Sequence, residues 1–239
     1  MEIVRDHNHK ADIELLFANH TTDKPRKGII HIGAHKGEEV ETYIDLGFEN
    51  IILIEPNPEL YNFLIEKFEK NPKVKVYGVA ISDSIGAMDF HIHTSQSGSV
   101  EPASLLKMKE FNKIVKTLKT VKVITVPVIT LDEFFVANQL SIENYNYINI
   151  DVQGAELMAF KGAKNVLKSI DVVISEVNLI ELYENAPLEK DIINYLKEFG
   201  FEKKNVIYHT LYDDKGTFPA WGECLFLKNS KDNGVEEIR

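Results

Sequence analysis

Gly33, Gly37 and Glu55 are the residues whose spacing first points to chemistry. In "GIIHIGAHKGEE" (28–39) an apolar run that reads as a buried strand breaks into glycines, histidines and acids. A glycine turn between strand and helix lets backbone approach a ligand and aims helix N–H groups at its negative end. The next apolar run, "NIILIE" (50–55), ends in Glu55, whose carboxylate can accept hydrogen bonds from two ribose hydroxyls. In open α/β sheets ligands sit in the crevice beyond the strand C-termini. The pair therefore reads as a site for a nucleoside-containing cofactor, either a dinucleotide or S-adenosylmethionine. A dinucleotide fingerprint, G-x-G-x-x-G, would need glycine where His35 and Glu38 stand. S-adenosylmethionine carries no pyrophosphate and tolerates fewer glycines. A tight structural turn followed by a surface glutamate is the third reading.

The elements that must position these residues alternate along the chain. Residues 28–33 and 50–55 read as parallel strands, with helices over 38–46 and, after Pro56 and Pro58, over 59–70. "KVKVYGVAI" (73–81) reads as the third strand. "AMDFHIHT" (87–94) and "VKVITVPVIT" (121–130) alternate apolar with polar, as a half-exposed antiparallel pair does, with a loop and short helix between them. Strand and helix then alternate again: a strand at 145–151, a helix at 154–168, a strand at 171–177, a helix at 188–199, and strands at 201–209 and 220–228. Such a rhythm predicts a mostly parallel sheet. A short helix is expected near Ile13–Phe17.

The chain's 239 residues fit one large α/β domain or two small ones, and 44% hydrophobic residues suffice for a real core. With 27 basic against 37 acidic residues the net charge is −10, which argues against a nucleic-acid backbone as the main partner. Lysines between Lys107 and Lys122 are interrupted and read as a solvated face. One cysteine, Cys224, excludes an intrachain disulfide and a cysteine-based zinc site. No apolar run approaches a membrane span, and the polar N-terminus is unlike a secretory signal. A cytoplasmic protein without a membrane partner is expected. The oligomeric state is left open, a homodimer being one option.

The order of elements resembles a class I methyltransferase, and the detailed strings resemble the FkbM family of S-adenosylmethionine-dependent methyltransferases. "HIGAHKG" is similar to that family's Asp-x-Gly-Ala-x-x-Gly, "IEPNP" (54–58) to its acidic second-strand ending, and "GVAIS" (78–82) to its third-strand ending. "ASLL" (103–106), "VPVITLDEF" (126–134), "INIDVQGAELMAFKGA" (148–163), "ISEVN" (174–178) and "WGECLFLK" (221–228) continue the likeness. Two residues depart from it: His31 stands at a usual Asp, and Gln153 at a usual Glu. The resemblance implies a Rossmann-like mixed seven-stranded sheet with helices on both faces and an antiparallel insertion (about 87–125) between strands 3 and 4. It implies an N-terminal extension (1–27), a methyltransferase domain (28–230) and a polar tail (231–239). The cofactor would be held by His31, Gly33, Ala34, His35, Gly37, Glu55, Pro56, Ala80, Ile81, Ser82 and Asp151. The implied reaction is O-methylation of a sugar, glycan or polyketide-like hydroxyl. A non-catalytic relative, or an NAD or nucleotide-sugar binder on the same fold, is the alternative.

Methyl transfer is an in-line displacement at an already activated sulfonium methyl, so the protein mostly positions the reactants. An alcohol acceptor also needs a base. In the family's strand order Asp151 ends the strand beside the first and is the leading candidate. Glu176, which ends the next strand, is the second. Ser104, Gln153, Glu156 and Asn178 are candidate acceptor contacts. Glu156 lies in the first turn of a helix, where the dipole favours a carboxylate whatever the function. Asp151, Glu156 and Glu176 could together hold Mg²⁺, but no spacing demands it and no metal is expected. His91 and His93 read as solvated histidines on one strand face. Trp221 reads as core packing, with sugar stacking as the alternative.

Overall fold

The computed structural model describes residues 9–94, 100–109, 119–213 and 216–229. Its strands in chain order are β1 (Gly28–Ile32), β2 (Asn50–Ile54), β3 (Val74–Tyr77), β4 (Ala80–Ile81), β5 (Gly86–Thr94), β6 (Val100–Ser104), β7 (Lys119–Ile129), β8 (Tyr147–Ile150), β9 (Val172–Asn178), β10 (Phe201–Asp213) and β11 (Gly216–Lys228). Its helices are α1 (His9–His20), α2 (Val40–Asp45), α3 (Pro58–Phe68), α4 (Leu131–Ala137), α5 (Glu156–Lys161), α6 (Val166–Ser169) and α7 (Glu189–Lys197). Seven strands form one sheet in the order β10-β11-β9-β8-β1-β2-β3. The members from β3 to β9 are parallel, and β11 runs antiparallel to both of its neighbours. The mixed seven-stranded sheet expected from the sequence is present.

Strand residues alternate between two cores. Ile29, Ile51, Leu53, Tyr147 and Ile174 meet Ile13, Leu16 and Phe17 of α1, Tyr43 of α2 and Leu64 of α3. Ile30, Ile32, Ile52, Ile54, Ile148 and Val173 meet Phe134 of α4, Phe160 of α5, Leu167 of α6 and Leu196 of α7. This is why β1 and β2 read as continuous apolar runs: parallel strands covered on both faces have no polar side. Each such side chain contributes roughly 1.5–3 kcal/mol when fully buried. No helix among the described residues is long and apolar enough to cross a membrane.

Several expectations need correction. The strand read over 73–81 breaks after Tyr77. Gly78 passes so close to α3 that a Cβ there would lie 3.2 Å from the Tyr61 ring, and β4 pairs with β7 instead. The insertion is thus a four-stranded sheet, β4-β7-β5-β6. It contains the expected β5–β7 antiparallel pair, with a strand over 100–104 where loop and helix were expected. Residues 95–99 and 110–118 lie outside the described residues. His91 and His93 are buried rather than solvated, and a bulge between Ile92 and His93 breaks the strand alternation. The helix read over 154–168 is two. A Cβ at Gly162 would fall 2.1 Å from the Ser82 carbonyl oxygen, and the Asp132 carboxylate accepts the Asn165 and Val166 N–H groups to start α6 afresh. α4, capped by Thr130, was not anticipated. The last two strands are longer than expected and form one 13-residue-per-arm hairpin.

Arg26 ties α1 to the sheet. Its guanidinium carbon lies 5.7 Å from the Phe17 ring centroid, 5.6 Å from that of Phe48 and 5.0 Å from that of Tyr147. It also donates to the Tyr147 hydroxyl and, at 2.8 Å, to Thr21 Oγ1. A partly desolvated cation against several rings exceeds a surface contact in strength. Arg26→Ala is expected to lower stability by about 2 kcal/mol. In a chain of this size that is a melting-temperature loss of roughly 4–8 °C by differential scanning calorimetry. A change within about a degree would show that the aromatic cage carries no load.

Candidate active site

The loop between β1 and α2 is held from several sides. Gly33 and Ala34 N–H groups both donate to the Ile54 carbonyl, at 2.9 and 3.1 Å. His35 N–H donates to Glu55 Oε2 at 2.9 Å, Lys36 N–H to Glu38 Oε2 at 3.1 Å, and Gly37 N–H to the Ala34 carbonyl at 2.7 Å. Gly37 adopts φ +63°, and a Cβ there would meet Phe68 and Leu64 at 2.9 and 3.0 Å. Gly33, at φ +87°, lies so near β8 that a Cβ would fall 1.9 Å from the Asp151 carbonyl oxygen. The helix begins only at Val40. From Gly33 to Gly37 every N–H has a protein acceptor, so this stretch of the turn offers no unpaired N–H to a ligand.

Glu55 is the pin of this loop. It is buried, and its two oxygens accept the His35 and Asn57 N–H groups, the latter at 2.8 Å. Each oxygen retains further acceptor capacity, which suits hydroxyl donors. Burial pushes its proton affinity up, to a pKa of about 7, against the pull of the two backbone bonds. Pro56 is half-buried beside it. Burial would also raise Glu38, but its bonds with His35 and with backbone N–H groups hold it at about 2.

The loop after β8 brings the other candidates together. Carboxylate oxygens of Asp151, Glu156 and Glu176 all lie within 4.8 Å of one another. Gln153 Nε2 donates to Asp151 Oδ1 at 2.6 Å and to Glu176 Oε2 at 3.0 Å. The Tyr183 hydroxyl donates to Gln153 Oε1 at 2.6 Å. Glu156 Oε1 accepts the Val152 and Gly154 N–H groups, each at 3.1 Å. Gln153 sits at φ +55° and His35 at φ +47°, so a non-glycine residue takes the left-handed region in each of these two loops. Ser104 Oγ donates to the Gln153 carbonyl at 2.8 Å and accepts the Leu106 N–H at 2.9 Å, which fastens the insertion to this loop.

Behind the crevice lies a buried polar cluster that sequence reasoning missed. The Tyr43 hydroxyl accepts from Asn149 Nδ2 at 2.7 Å and lies 3.2 Å from His31 Nδ1. The Glu39 carboxylate is 3.9 Å from the same nitrogen, and Asn149 Nδ2 is 3.5 Å from His31 Nε2. Protein groups thus face both ring nitrogens of His31. Glu223 on β11 is the register partner of Glu176 on β9, and both are buried. Its signal was present: a lone charge inside the apolar run "AWGECLFLK". Asn178 is fully buried, and neither amide atom has a hydrogen-bond partner among the described residues. Ala80 and Ile81 point into apolar cores, and Ser82 Oγ faces Asp83 and Met88. The chain meets Glu55 earlier, where the Tyr77 carbonyl accepts the Glu55 N–H at 3.0 Å, because β3 ends there.

Burial and neighbouring carboxylates push Glu156 and Glu176 above the ordinary glutamate range. With Glu55, these groups keep protons in the fold that the unfolded chain has already released. Stability from raised acids is full below their unfolded pKa, near 4.5, and is lost as pH rises through their folded values. The melting temperature of the ligand-free protein is therefore expected to fall from about pH 5.5 to about pH 8.5. Glu156→Gln keeps the Oε1 acceptor and removes the titration, so its stability relative to the parent should rise with pH. Parallel pH curves for the two proteins would contradict this.

A model of the FkbM methyltransferase domain matches residues 31–203. The chain is 25% identical over 195 residues to the 2-O-methyltransferase NoeI of Sinorhizobium fredii (strain NBRC 101917 / NGR234), covering 80% of this chain and 77% of that protein. Among solved structures, N-methyltransferase NodS from Bradyrhizobium japonicum WM9 aligns with TM-score 0.51 at 8% identity, over 93% of this chain and 94% of that one. Magnesium protoporphyrin IX methyltransferase (ChlM) from Synechocystis PCC 6803, solved with bound SAM, aligns with TM-score 0.50 at 10% identity, over 92% and 80%. The structural likenesses establish the shared class I fold. The matched model spans the loop after β1, the insertion and the strands that carry the carboxylates, and the chain belongs to the FkbM methyltransferase family.

Proposed function

We propose that the chain transfers a methyl group from S-adenosylmethionine to a hydroxyl oxygen of a sugar, glycan or polyketide-like natural product. The observation that carries this reading is the polarity of the crevice. A pyrophosphate needs N–H donors, and the N–H groups from Gly33 to Gly37 are all engaged within the protein. What the loops gather instead is carboxylate: Glu55 on one side, and Asp151, Glu156 and Glu176 on the other. Such an acceptor set suits a ligand that brings a sulfonium, an ammonium and two ribose hydroxyls. S-adenosylmethionine, when bound, supplies a methyl group already activated on sulfur.

The protein's own part is binding, orientation and one proton. Glu55 would accept from the ribose hydroxyls while holding the His35 N–H, so that cofactor and loop would share one anchor. Asp151 would take the proton of the acceptor hydroxyl whose oxygen receives the methyl group from sulfur, and Gln153, which donates to both Asp151 and Glu176, holds its orientation. The acceptor enters from the insertion side, where Met88, His91, Leu105, Leu106 and Glu184 help to line a cleft of about 320 Å³. Mixed apolar and hydrogen-bonding walls favour a polyhydroxylated acceptor. The name of the NoeI relative, a 2-O-methyltransferase, supports oxygen as the methylated atom.

Incubation with candidate glycans and an isotopically labelled methyl donor, followed by mass spectrometry, tests the proposal. A product that carries the labelled methyl group as an O-methyl ether of the acceptor is expected, and methyl transfer to nitrogen or to no acceptor would count against it. Glu55→Ala is expected to weaken S-adenosylmethionine binding roughly tenfold to a hundredfold by calorimetric titration. Asp151→Asn should lower kcat by about 10²–10⁴ with little change in cofactor affinity. Unchanged turnover would remove Asp151 from the role of base.

A further inference from the structure

We infer that the Gln153 side-chain amide takes the place of a divalent cation between Asp151 and Glu176, so that this carboxylate cluster is closed by hydrogen bonds and works without a metal ion. The inference rests on the reading of this crevice as the methyl-transfer site. Three carboxylates within 4.8 Å of one another are a ligand set for a hard cation. Yet the space between two of them is bridged. Gln153 Nε2 carries two N–H donors, and it stands 2.6 Å from Asp151 Oδ1 and 3.0 Å from Glu176 Oε2.

The amide cannot turn its oxygen inward without loss, because the Tyr183 hydroxyl donates to Oε1 at 2.6 Å and Tyr183 is itself buried. The third carboxylate is engaged differently: Glu156 Oε1 already accepts two main-chain N–H groups. The backbone supports the same arrangement. Gln153 is held at φ +55° and Gly154 at φ +96°, and a Cβ on Gly154 would meet the Tyr183 ring at 3.0 Å. Loop, tyrosine and amide therefore form one rigid bridge. Gln153, expected from sequence to touch the acceptor, acts here as a positioning residue that sets the Asp151 carboxylate.

The decisive variant is Gln153→Glu, which keeps the shape and exchanges two donors for a fourth carboxylate. The full-length protein would be titrated with Mn²⁺ and the free-ion signal followed by electron paramagnetic resonance. The parent is expected to bind no stoichiometric Mn²⁺. Gln153→Glu is expected to take up one equivalent, at least about tenfold more tightly than the parent, since ligand charge sets affinity for such ions. Uptake of one equivalent by the parent, abolished by Asp151→Asn, would overturn the inference without need of the glutamate variant. A folded Gln153→Glu protein that binds no more Mn²⁺ than the parent would overturn it as well. The titration requires no turnover, so its result is independent of the labelled-methyl assay.

Discussion

The two hydrogen bonds from backbone to the Glu55 carboxylate are the constraint on which the crevice depends. The bond from His35 joins the loop after β1 to the end of β2, with His35 in a left-handed conformation that a non-glycine residue rarely takes, and the bond from Asn57 holds the same carboxylate from the start of α3. A buried carboxylate is costly unless donors meet it. Here the donors are the main-chain N–H of His35 in the loop and that of Asn57 at the start of α3. The loop thus exchanges the usual role of a glycine turn, presenting N–H groups to an anion, for one in which an acid faces the ligand. Cofactor chemistry follows from that exchange: cations and hydroxyls are favoured, and phosphate is not.

A second consequence is the crowd of acids across β8, β9 and β11. Asp151, Glu156, Glu176 and Glu223 lie near one another with little cationic company among the described residues. Like charges at this density keep protons. The fold tolerates them because each of the first three is met by a donor: the Gln153 amide for Asp151 and Glu176, and two main-chain N–H groups for Glu156. The same loop carries the anchor of the insertion through Ser104. The insertion, the loop after β8 and the central sheet are therefore mechanically one unit.

Much of this was legible in the sequence. Unbroken apolar runs gave β1, β2, β8 and β9, because strands covered on both faces have no polar side to alternate. Glu55, Asp151 and Glu176 stood out as acids at the ends of such runs. What stayed hidden depends on contacts between distant segments. The break at Gly78 follows from the closeness of Tyr61, and the break at Gly162 from the Ser82 carbonyl. Its position in a motif made His31 a cofactor candidate, whereas its contact with Tyr43 depends on how α2 packs on the sheet, which no motif shows. The bridging role of Gln153 needs Tyr183, 30 residues further on, and no local pattern announces that pairing. α4 was within reach: Thr130 followed by two acids is a start signal.

The central claim, that this crevice is built for an adenosyl sulfonium compound and not for a pyrophosphate, is tested most directly by isothermal titration calorimetry. The ligand-free protein is titrated with S-adenosylmethionine and, separately, with NAD⁺. Saturable one-to-one binding of S-adenosylmethionine, with a dissociation constant in roughly the micromolar range, and no saturable heat from NAD⁺ is the predicted result. NAD⁺ binding as tightly as S-adenosylmethionine, or S-adenosylmethionine giving no saturable heat, would contradict it.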